Sequence, residues 1–574
     1  MSEQNQERAV DVLIRYLRAE SVDTVFGIVG GLAYPLFREL ERTNGLRFVM
    51  TKHEEGAAFM ADGYARVGRR LGVCVVTGGP GSTNLLTGVA CAFADGVPML
   101  IITGQAATHA LGRGAAQETP VEGIDIVSMF RPVTKYSVMV TDSDSLAHHV
   151  RRALRSALGG RPGPVHLNVP VNVWERRVHE AWFSPETYRA QTHTFDRGAV
   201  QRSGDLLLEA KTPVILAGSG IAISNAEEVL AELARVLDAR VVTSPRAKGV
   251  FAEDDPRSLG VLGTGGHRSA KELLLGDAVD VLFVAGASMN ETTTFNWSPQ
   301  LRPSRALIQL DIDADRIARS YPVDVPLVGD ARSVLVELLY HVHRKIREGA
   351  RPMSTWRQWS SIPTFDKRYD QAEHRSGESV PLRPERWRAE LFDVLPSDCV
   401  IFSDIGGHML FNIHHLCIRA KQRFVINLGF GSMGHGTIAP IGAAMSGVSA
   451  PIVAIIGDAC FCMNGLDLLV AVERRLPIVW IVENNGGHGV TWHASKALSG
   501  GEALSSALCA VEVASIARAM GLQTTVVDRP HQIAAALQAA LAHNGPSLIE
   551  VRVDPDAAPP LGERASTLAG FIRK

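Results

Sequence analysis

Cysteine is scarce in this sequence, and long apolar runs are missing from it. Seven cysteines scattered over 574 residues cannot form a disulfide framework, so we expect a reducing, cytoplasmic compartment. No stretch reaches the roughly 18–20 uninterrupted apolar residues of a membrane helix. The N-terminal run MSEQNQERAVDVL is polar and lacks the basic start and apolar middle of a signal peptide. We therefore expect no membrane partner.

An excess of charge of either sign is also missing. The chain carries 58 basic and 60 acidic side chains, for a formal net charge of −2. This balance offers no basic surface for a nucleic acid and none for an anionic membrane, so a small-molecule partner is expected. The length exceeds what one hydrophobic core supports, which predicts several domains.

Short runs rich in Val and Ile alternate with helical patterns along the whole chain. This alternation is typical of parallel sheets covered by helices on both faces, and it predicts an α/β fold. Two polar stretches, 176–198 and 349–384, separate three blocks, which we interpret as doubly wound parallel-sheet domains over residues 1–180, 195–345 and 385–574. The predicted strands are residues 24–28, 73–77, 99–103, 164–169, 213–217, 279–284, 305–309, 400–403, 424–427, 452–456 and 478–482.

Oxygen-bearing side chains follow two neighbouring strands of the third block. Asp458 comes directly after strand 452–456 and Gly457, and Asn485 follows the next strand, with a helix predicted over 464–474 between them. Ligands collect at the carboxyl ends of parallel strands. A carboxylate, a carboxamide and the backbone carbonyl of Gly487 are hard donors that suit Mg²⁺. Taken singly, Asp458 is equally well a helix N-cap and Asn485 part of a turn; as a pair they predict a magnesium site.

The run Gly457-Asp458-Ala459 with Asn484-Asn485 resembles the thiamine diphosphate-binding motif GDG…NN. Segments 404–409 and 429–436 resemble cofactor-binding loops of the acetolactate synthase-like branch of that enzyme family. The resemblance implies that thiamine diphosphate binds through Mg²⁺, and that Met433 supports its bent shape. The further cofactor contacts that the resemblance implies are Gly407, His408, Gly431, Gly457, Ala459, Cys460, His488, Gly489 and Val490. Ala459 and Val490 replace the family's usual Gly and Met, and neither change removes a metal ligand.

Residues 51–66 are similar to the family segment R-H-E-x-G-A-x-x-M-A-x-G-Y-A-R. Glu54 takes the place of the family's catalytic glutamate, which hydrogen-bonds the aminopyrimidine ring of the cofactor. Without the resemblance, Glu54 would be interpreted as an acidic residue in the first turn of a helix, favoured by the helix dipole. We assign that structural role to Glu55.

The Gly-rich turn 77–84 follows a strand and precedes a helix, so by itself it is either a phosphate cradle or a tight turn. The resemblance places Pro80 and Asn84 at the aminopyrimidine end of the cofactor, with Gly30 and Gly31 nearby. It also implies that Gln105, Gln117 and Lys135 line the active-site entrance as catalytic or substrate residues. Isolated Lys and Gln side chains are more often solvated, which is the alternative for these three.

At two places the sequence differs from the family at residues that would contact FAD or the acceptor substrate. Acetolactate synthases hold FAD in their middle domain, and the turn at Gly218 and Gly220 is retained here, but Ser288 stands where flavin-binding relatives often carry Arg. FAD binding is therefore left open. Ala115 and Ala116 precede Gln117 where acetolactate synthases usually carry a bulky Phe, which suggests an acceptor larger than pyruvate.

The resemblance implies a carboligase that decarboxylates a 2-oxo acid, with pyruvate as the expected donor, and transfers the acyl unit to an aldehyde or ketone. Its active sites would lie between the chains of a homodimer or homotetramer. Alternatives are a non-oxidative decarboxylase, an acetyltransferase to phosphate, and a non-catalytic regulatory homologue. The histidine pairs 148–149 and 414–415 do not lie where pyruvate decarboxylase-like enzymes place theirs, and Glu54, Asp458 and Asn485 are all retained. Both observations favour the carboligase.

Overall fold

The computed structural model describes residues 7–178, 182–189, 194–354, 369–499, 501, 509 and 511–561. Three six-stranded sheets, each with all of its strands parallel, form the centres of the described chain. Because parallel strands need crossover connections, helices join successive strands and cover both faces of each sheet. The predicted α/β class is confirmed. No helix of the described residues is long and apolar enough to cross a bilayer.

The first sheet has the strand order β3-β2-β4-β5-β7-β6, and a short antiparallel pair, β1 with β8, lies beside it. Its strands are β1 (Glu7–Arg8), β2 (Thr24–Gly27), β3 (Arg47–Met50), β4 (Gly72–Val76), β5 (Met99–Gln105), β6 (Ser137–Met139), β7 (Pro164–Pro170) and β8 (Arg177–Val178). The helices are α1 (Ala9–Ala19), α2 (Tyr34–Arg42), α3 (Glu54–Gly68), α4 (Pro80–Thr83), α5 (Leu86–Asp95), α6 (Ile126–Phe130), α7 (Leu146–Leu158) and α8 (Pro185–Tyr188).

The second sheet has the order β11-β10-β9-β12-β13-β14. Its strands are β9 (Pro213–Ala217), β10 (Arg240–Thr243), β11 (Ser258–Val261), β12 (Val281–Ala285), β13 (Ala306–Asp311) and β14 (Val325–Val328). Its helices are α9 (Arg197–Glu209), α10 (Ser219–Ile223), α11 (Glu227–Leu237), α12 (Arg268–Leu274), α13 (Glu291–Thr294) and α14 (Ala331–Arg347).

The third sheet has the order β16-β15-β17-β18-β20-β19. Its strands are β15 (Val400–Ser403), β16 (Arg423–Ile426), β17 (Ile452–Gly457), β18 (Ile478–Asn484), β19 (Gln523–Val527) and β20 (Ser547–Arg552). Its helices are α15 (Pro384–Val394), α16 (Gly407–His415), α17 (His435–Met445), α18 (Asp458–Asn464), α19 (Leu468–Arg474), α20 (Gly489–Ser499), α21 (Val513–Ala519) and α22 (Gln532–Ala542).

All eleven predicted strands are present, and their ends differ from the prediction by two residues or fewer. One helix differs more. The segment predicted as a helix over 464–474 is two helices, because α18 begins at Asp458 and a 3₁₀ turn over Gly465–Asp467 separates it from α19. The apolar spacing of residues 468–474 predicts only the second helix. The first helix, α18, was not predicted because it begins at Asp458, directly after the end of β17, with no intervening loop.

Side chains of the buried strand β4 alternate between two apolar cores. In β4, Cys74 and Val76 contribute to a core that continues into the third sheet, whereas Val73 and Val75 pack into a core of the first sheet alone. This is the period-two alternation of a strand buried on both faces. The first and third sheets therefore share one continuous hydrophobic core, and α3 and α17 lie within it.

Two glycines allow α3 and α17 to approach closely. A Cβ atom on Gly63 of α3 would lie 1.9 Å from the carbonyl oxygen of Ala439, and one on Gly442 of α17 would lie 1.7 Å from that of Met60. No side chain fits at such distances. Each glycine thus accepts the backbone of the other helix, and the pair joins the first sheet to the third.

The Gly442→Ala substitution should weaken this joint. The added methyl group meets a backbone carbonyl that cannot rotate away, so we expect a cost of about 1–3 kcal/mol, the usual range for overpacking a core. Thermal and urea unfolding of the purified protein measure it. Gly377→Ala is the matched control, because its nearest neighbouring atom would be 3.9 Å from the new Cβ. Equal unfolding midpoints for the two variants would contradict the interpretation.

Candidate cofactor and active site

Asp458 and Asn485 lie at the carboxyl edge of the third sheet. β17 and β18 are neighbours, with Gly457 paired to Glu483, so the residues that follow the two strands emerge side by side. The buried Asp458 carboxylate accepts a hydrogen bond from the amide of Ala459 at 2.8 Å and also interacts with the amides of Gly486 and Gly487. The structure thus brings the three predicted metal ligands together.

The donor set at this edge fits Mg²⁺. Burial raises the pKa of Asp458 to about 6, with Glu483 acting in the same direction and the neighbouring backbone amides opposing both. A buried carboxylate of this kind favours a cation as its partner. The Asn485 Oδ1 atom accepts the Gly487 amide at 3.3 Å, and a Cβ on Gly489 would lie 2.4 Å from Asn485 Nδ2, so the Asn485 side chain packs closely against the backbone of Gly489. The oxygens of Asp458 and Asn485 and the carbonyl of Gly487 are the hard donors that Mg²⁺ prefers.

The start of α16 forms a second wall of this edge. A Cβ on Gly407 would lie 3.5 Å from the amide nitrogen of Val490, and Cys460 donates its thiol hydrogen to the carbonyl of Ile405 at 3.3 Å. The imidazole of His408 lies beside Gly457, where a Cβ would be 2.8 Å from Nδ1. The start of α16 therefore lies next to Gly457, Cys460 and Val490, three of the other predicted diphosphate contacts.

His408 carries an orphaned polar atom. The side chain is buried, and burial, together with Arg388, lowers its pKa to about 3, so the imidazole is neutral at physiological pH. Within the described part of the chain its Nε2 atom has no hydrogen-bond partner. Buried polar atoms are rarely left unpaired, and a polar ligand in this space would satisfy it. The site therefore fits a diphosphate group.

Two charged groups that the sequence analysis missed support these loops. Asp404 accepts hydrogen bonds from the amides of Ile405, Gly434 and Thr437 and from the Thr437 hydroxyl, at 2.7–3.1 Å. Arg388 forms a buried ion pair with Glu483 at 2.6 Å. Both have a signal in the sequence. Asp404 is a charged residue directly after an apolar strand, and Arg388 is a charged residue on the buried face of a helix.

Arg388 connects two parts of the edge. Besides its ion pair with Glu483, which precedes the Asn485 loop, its guanidinium donates to the carbonyl of His408 at 3.2 Å and to Asn412 Oδ1 at 2.7 Å. Burying charges is costly unless they are paired and hydrogen-bonded, and here both conditions are met. The pair therefore holds the start of α16 against the end of β18.

The turn over residues 429–434, which we call the Met433 turn, completes the edge. Met433 is half-buried and packs against the core shared by the first and third sheets. Gly434 has a φ of +93°, and a Cβ there would lie 2.0 Å from Asn464 Oδ1. Since Asp404 binds the Gly434 amide, the turn is held between α18 and the loop that follows β15. Gly431, with a φ of +80°, lies at its tip.

Glu54 lies at the carboxyl edge of the first sheet, as the first residue of α3. Its Oε2 atom accepts a hydrogen bond from Asn84 Nδ2 at 2.9 Å, and a Cβ on Gly81 would lie 3.5 Å from its Oε1 atom. Pro80 begins α4 beside this pair. A Cβ on Gly30 would lie 2.4 Å from Thr77 Cβ, so the loop after β2 packs against the same turn, whereas Gly31 faces open space.

Gln117 and Gln105 occupy the same edge in different ways. Gln117 is exposed, lies against Gly78 and Gly79, and accepts a hydrogen bond from Thr77 at its Oε1 atom at 3.5 Å, so it lies beside the Gly-rich turn 77–84. Gln105 is fully buried, and both ends of its amide are bonded within the domain, to Thr119, Asn168 and Ala106. The Gln105 amide is thus held by groups of its own domain, and its catalytic role stays a prediction.

Within the chain, Lys135 lies apart from Glu54. The residue precedes β6, which places it at the amino edge of the parallel sheet, opposite to Glu54. Its ammonium group donates to the carbonyls of Ser156, Gly159 and Arg161 at the end of α7. Lysine commonly binds the free carbonyls at a helix C-terminus. Lys135 therefore binds the 156–161 segment of its own domain, and its part in substrate access stays a prediction.

Within one chain, Glu55 rather than Glu54 contacts the third sheet. Asn464 donates to Glu55 Oε2 at 3.2 Å, and the Lys52 amide donates to Asp467 Oδ1 at 2.7 Å. Glu55 lies in the first turn of α3, as predicted, and its bond to Asn464 also joins this helix to α18. Glu54 bonds to Asn84 of its own domain, and the polar contacts of Asp458 described above come from its own domain.

The three domains match known protein families. The family models of the thiamine pyrophosphate enzymes match as the N-terminal TPP binding domain over residues 7–129, the central domain over 200–338 and the C-terminal TPP binding domain over 404–551. An X-ray structure of a protein from Mycobacterium smegmatis shares the fold, with a TM-score of 0.81 at 22% identity, over 96% of this chain and 100% of that chain.

Relatives with similar sequences carry one activity in their names. The chain is 30% identical to the probable acetolactate synthase large subunit of Methanocaldococcus jannaschii, over 99% of this chain and 95% of that protein. It is 29% identical to the isozyme 3 large subunit of Escherichia coli, over 95% and 94% of the two chains. The identity to the mitochondrial acetolactate synthase catalytic subunit of Saccharomyces cerevisiae is 29%, over 93% and 79%. The chain belongs to the thiamine pyrophosphate enzyme family, and it is a thiamine diphosphate-dependent enzyme.

Proposed function

We propose that this protein is an acetolactate synthase-like carboligase. It would decarboxylate a 2-oxo acid, with pyruvate as donor, and transfer the two-carbon unit to an aldehyde or ketone. The observation that carries this proposal is the pair of sheet edges, one with Glu54 beside Asn84 and the other with Asp458 beside the Asn485 loop. Similarity to acetolactate synthases over nearly the whole chain supports it, and no observation favours a simple decarboxylase, an acetyltransferase or a regulatory homologue.

Residues of the third domain would hold the cofactor by its diphosphate. Asp458, Asn485 and the Gly487 carbonyl would bind Mg²⁺. Around the diphosphate we place Gly407, His408, Gly457, Ala459, Cys460, His488, Gly489 and Val490, and around the ring system Gly30, Gly31, Pro80, Asn84, Gly431 and Met433. The corresponding domains are residues 1–180, which bind the pyrimidine, 195–345 in the centre, and 385–574, which bind the diphosphate.

The bound cofactor supplies an electron sink for breaking the bond between the carboxylate and the carbonyl carbon. Glu54 then has one task, to hold and exchange a proton at N1′ of the aminopyrimidine ring. Asn84 donates to one Glu54 oxygen, which orients the carboxyl group and leaves its Oε1 atom for the ring. Gln117, beside the Gly-rich turn 77–84, would orient the substrate.

A second copy of the chain would complete the site. Large apolar side chains are exposed beside both edges, with Tyr34 and Met50 near Glu54 and Phe430, Met463 and Leu466 near Asp458, each 51–66% accessible to solvent. Apolar groups of this size at functional edges are typical of surfaces that pack against a partner. We propose a homodimer or homotetramer in which Glu54 of one chain faces Asp458 of another. Seven free cysteines support a cytoplasmic location.

The Glu54→Gln substitution tests the catalytic assignment. With Mg²⁺, thiamine diphosphate and pyruvate, turnover should fall by roughly 10²–10⁴-fold because the amide cannot exchange the proton. Cofactor affinity, measured by titration calorimetry, should change little. Glu55→Gln on the same helix is the matched control and should retain turnover. Wild-type turnover for Glu54→Gln, or an equal loss in Glu55→Gln, would contradict the proposed function.

The acceptor should be larger than pyruvate. Ala115 and Ala116 precede Gln117 beside the Gly-rich turn 77–84, and Ala116 is exposed, so space is open where relatives carry Phe. We expect coupling to a bulky aldehyde to be faster than pyruvate homocoupling, with products identified by mass spectrometry. Ala116→Phe should reduce the first reaction more than the second. Homocoupling at an equal or higher rate in the wild-type protein would overturn this expectation.

We further propose that the middle domain binds FAD. A cavity of about 290 Å³ lies at the carboxyl ends of β9, β12 and β13, the edge where nucleotides bind in open parallel sheets. Its lining includes Arg161, Arg246 and Arg316, which supply the positive charge that Ser288 lacks. Burial lowers the pKa of Arg161 to about 10, with Arg316 and Arg246 acting in the same direction. An arginine in such surroundings favours an anion such as a pyrophosphate.

The absorption spectrum of the purified protein tests FAD binding. A flavin band should be present after purification or after incubation with FAD and gel filtration. Arg161→Ala should lose the band, because it removes a cation of the cavity, whereas Arg305→Ala, an exposed residue paired with Glu209, should retain it. A colourless wild-type protein that takes up no FAD would refute this part of the proposal.

A further inference from the structure

Asp95 lies where the three domains meet. It is the last residue of α5, and its carboxylate is fully buried. Arg66 of α3 binds it at 2.8 Å, and Arg246 of the middle domain binds it at 2.8 Å. The amide of Gly429 in the third domain donates to its Oδ1 atom at 3.1 Å. One carboxylate thus contacts all three domains, through hydrogen bonds from Arg66 and Gly429 and an ion pair with Arg246.

The backbone of Gly429 packs closely against the Asp95 carboxylate. A Cβ on Gly429 would lie 2.1 Å from Asp95 Oδ1, so the backbone of the third domain rests directly on this carboxylate. Gly429 is the first residue of the Met433 turn. At the other end of the turn, Gly434 is bound by Asp404, which belongs to the loop that leads to His408. Asp95 and Asp404 therefore fix the two ends of the segment that carries Met433.

A buried charge network extends from Asp95 in two directions. Arg66 also binds Asp62 of α3, and Asp62 accepts a hydrogen bond from His435 Nε2 at 2.7 Å, next to the Met433 turn. Burial acts to raise the pKa of Asp62, but Arg66 and His435 together lower it to about 2. Arg246 extends the network the other way, because it lines the cavity proposed for FAD. Removing one member leaves a buried charge without compensation.

We propose that Asp95 is a positioning residue that holds the Met433 turn for cofactor binding and couples it to the basic cavity of the middle domain. The inference rests on the proposed function, since it takes the Met433 turn as a cofactor contact. Asp95 itself does not touch the reacting atoms. It acts through the Gly429 amide and through Arg246. An anion bound to Arg246 would weaken the ion pair between Arg246 and Asp95 and so change the interaction of the carboxylate with the Gly429 amide.

The Asp95→Asn variant tests the positioning role. It keeps the size of the side chain and removes its charge, so the dissociation constant for thiamine diphosphate with Mg²⁺ should rise about tenfold, as expected from one lost charge-assisted hydrogen bond. Turnover at saturating cofactor should remain within a few-fold of wild type. In the cofactor-free protein, hydrogen exchange of the amides at 429–434 should be faster. Glu272→Gln, which removes the exposed partner of Arg268, is the control and should change neither measurement.

Arg246→Gln tests the coupling and provides a second route if Asp95→Asn does not fold. It should also weaken cofactor binding, and combined with Asp95→Asn it should add little, because both changes act at one contact. Adding FAD should change the thiamine diphosphate affinity of the wild type but not of Arg246→Gln. Folded variants with wild-type cofactor affinity and wild-type exchange at 429–434 would overturn the inference. That outcome differs from failure of the proposed function, in which Glu54→Gln would keep its turnover.

Discussion

The close contact between α3 and α17 determines how the first and third sheets are arranged. Gly63 and Gly442 let each helix touch the backbone of the other, and the two sheets behind them share one apolar core. Since Glu54 begins α3 and the Met433 turn leads into α17, this contact fixes both functional edges relative to one another. A small displacement of the helices would move both edges at once.

Charged side chains hold the loops of the two functional edges in place, because these loops lie outside the apolar core. Arg388 with Glu483, Asp404 with the Met433 turn, and Asp95 with Arg66 and Arg246 each bridge separate elements. The carboxylates and Arg388 are buried, Arg66 and Arg246 are largely buried, and all of them are paired. A fully satisfied network of this kind is rigid, and a broken one is costly. The cofactor-facing loops are therefore held by polar contacts, whereas the helices and strands that carry them are held by apolar packing.

Some site residues can be predicted from the sequence around them, whereas the contacts of others come from distant segments of the chain. Asp458 and Asn485 could be predicted because two apolar strands with β-α-β spacing necessarily bring their ends together. Glu54 could be predicted only with the family resemblance, because an acidic residue in a first helical turn is common in any protein. The position of Lys135 could not be predicted, because its sequence neighbours do not reveal that it precedes a strand and so lies at the edge opposite to Glu54. Gln105 reaches the expected edge, but its partners Thr119 and Asn168 come from other segments.

The sequence by itself determined the α/β class, the strands and the order of the motifs, because these depend on apolar periodicity and on short spacings along the chain. Only the tertiary structure decided which polar groups meet. The contacts of Arg388 with Glu483 and of Asp95 with Gly429 join residues far apart in the chain. Such pairings depend on how helices pack and which domains touch, and no local pattern of residues records that.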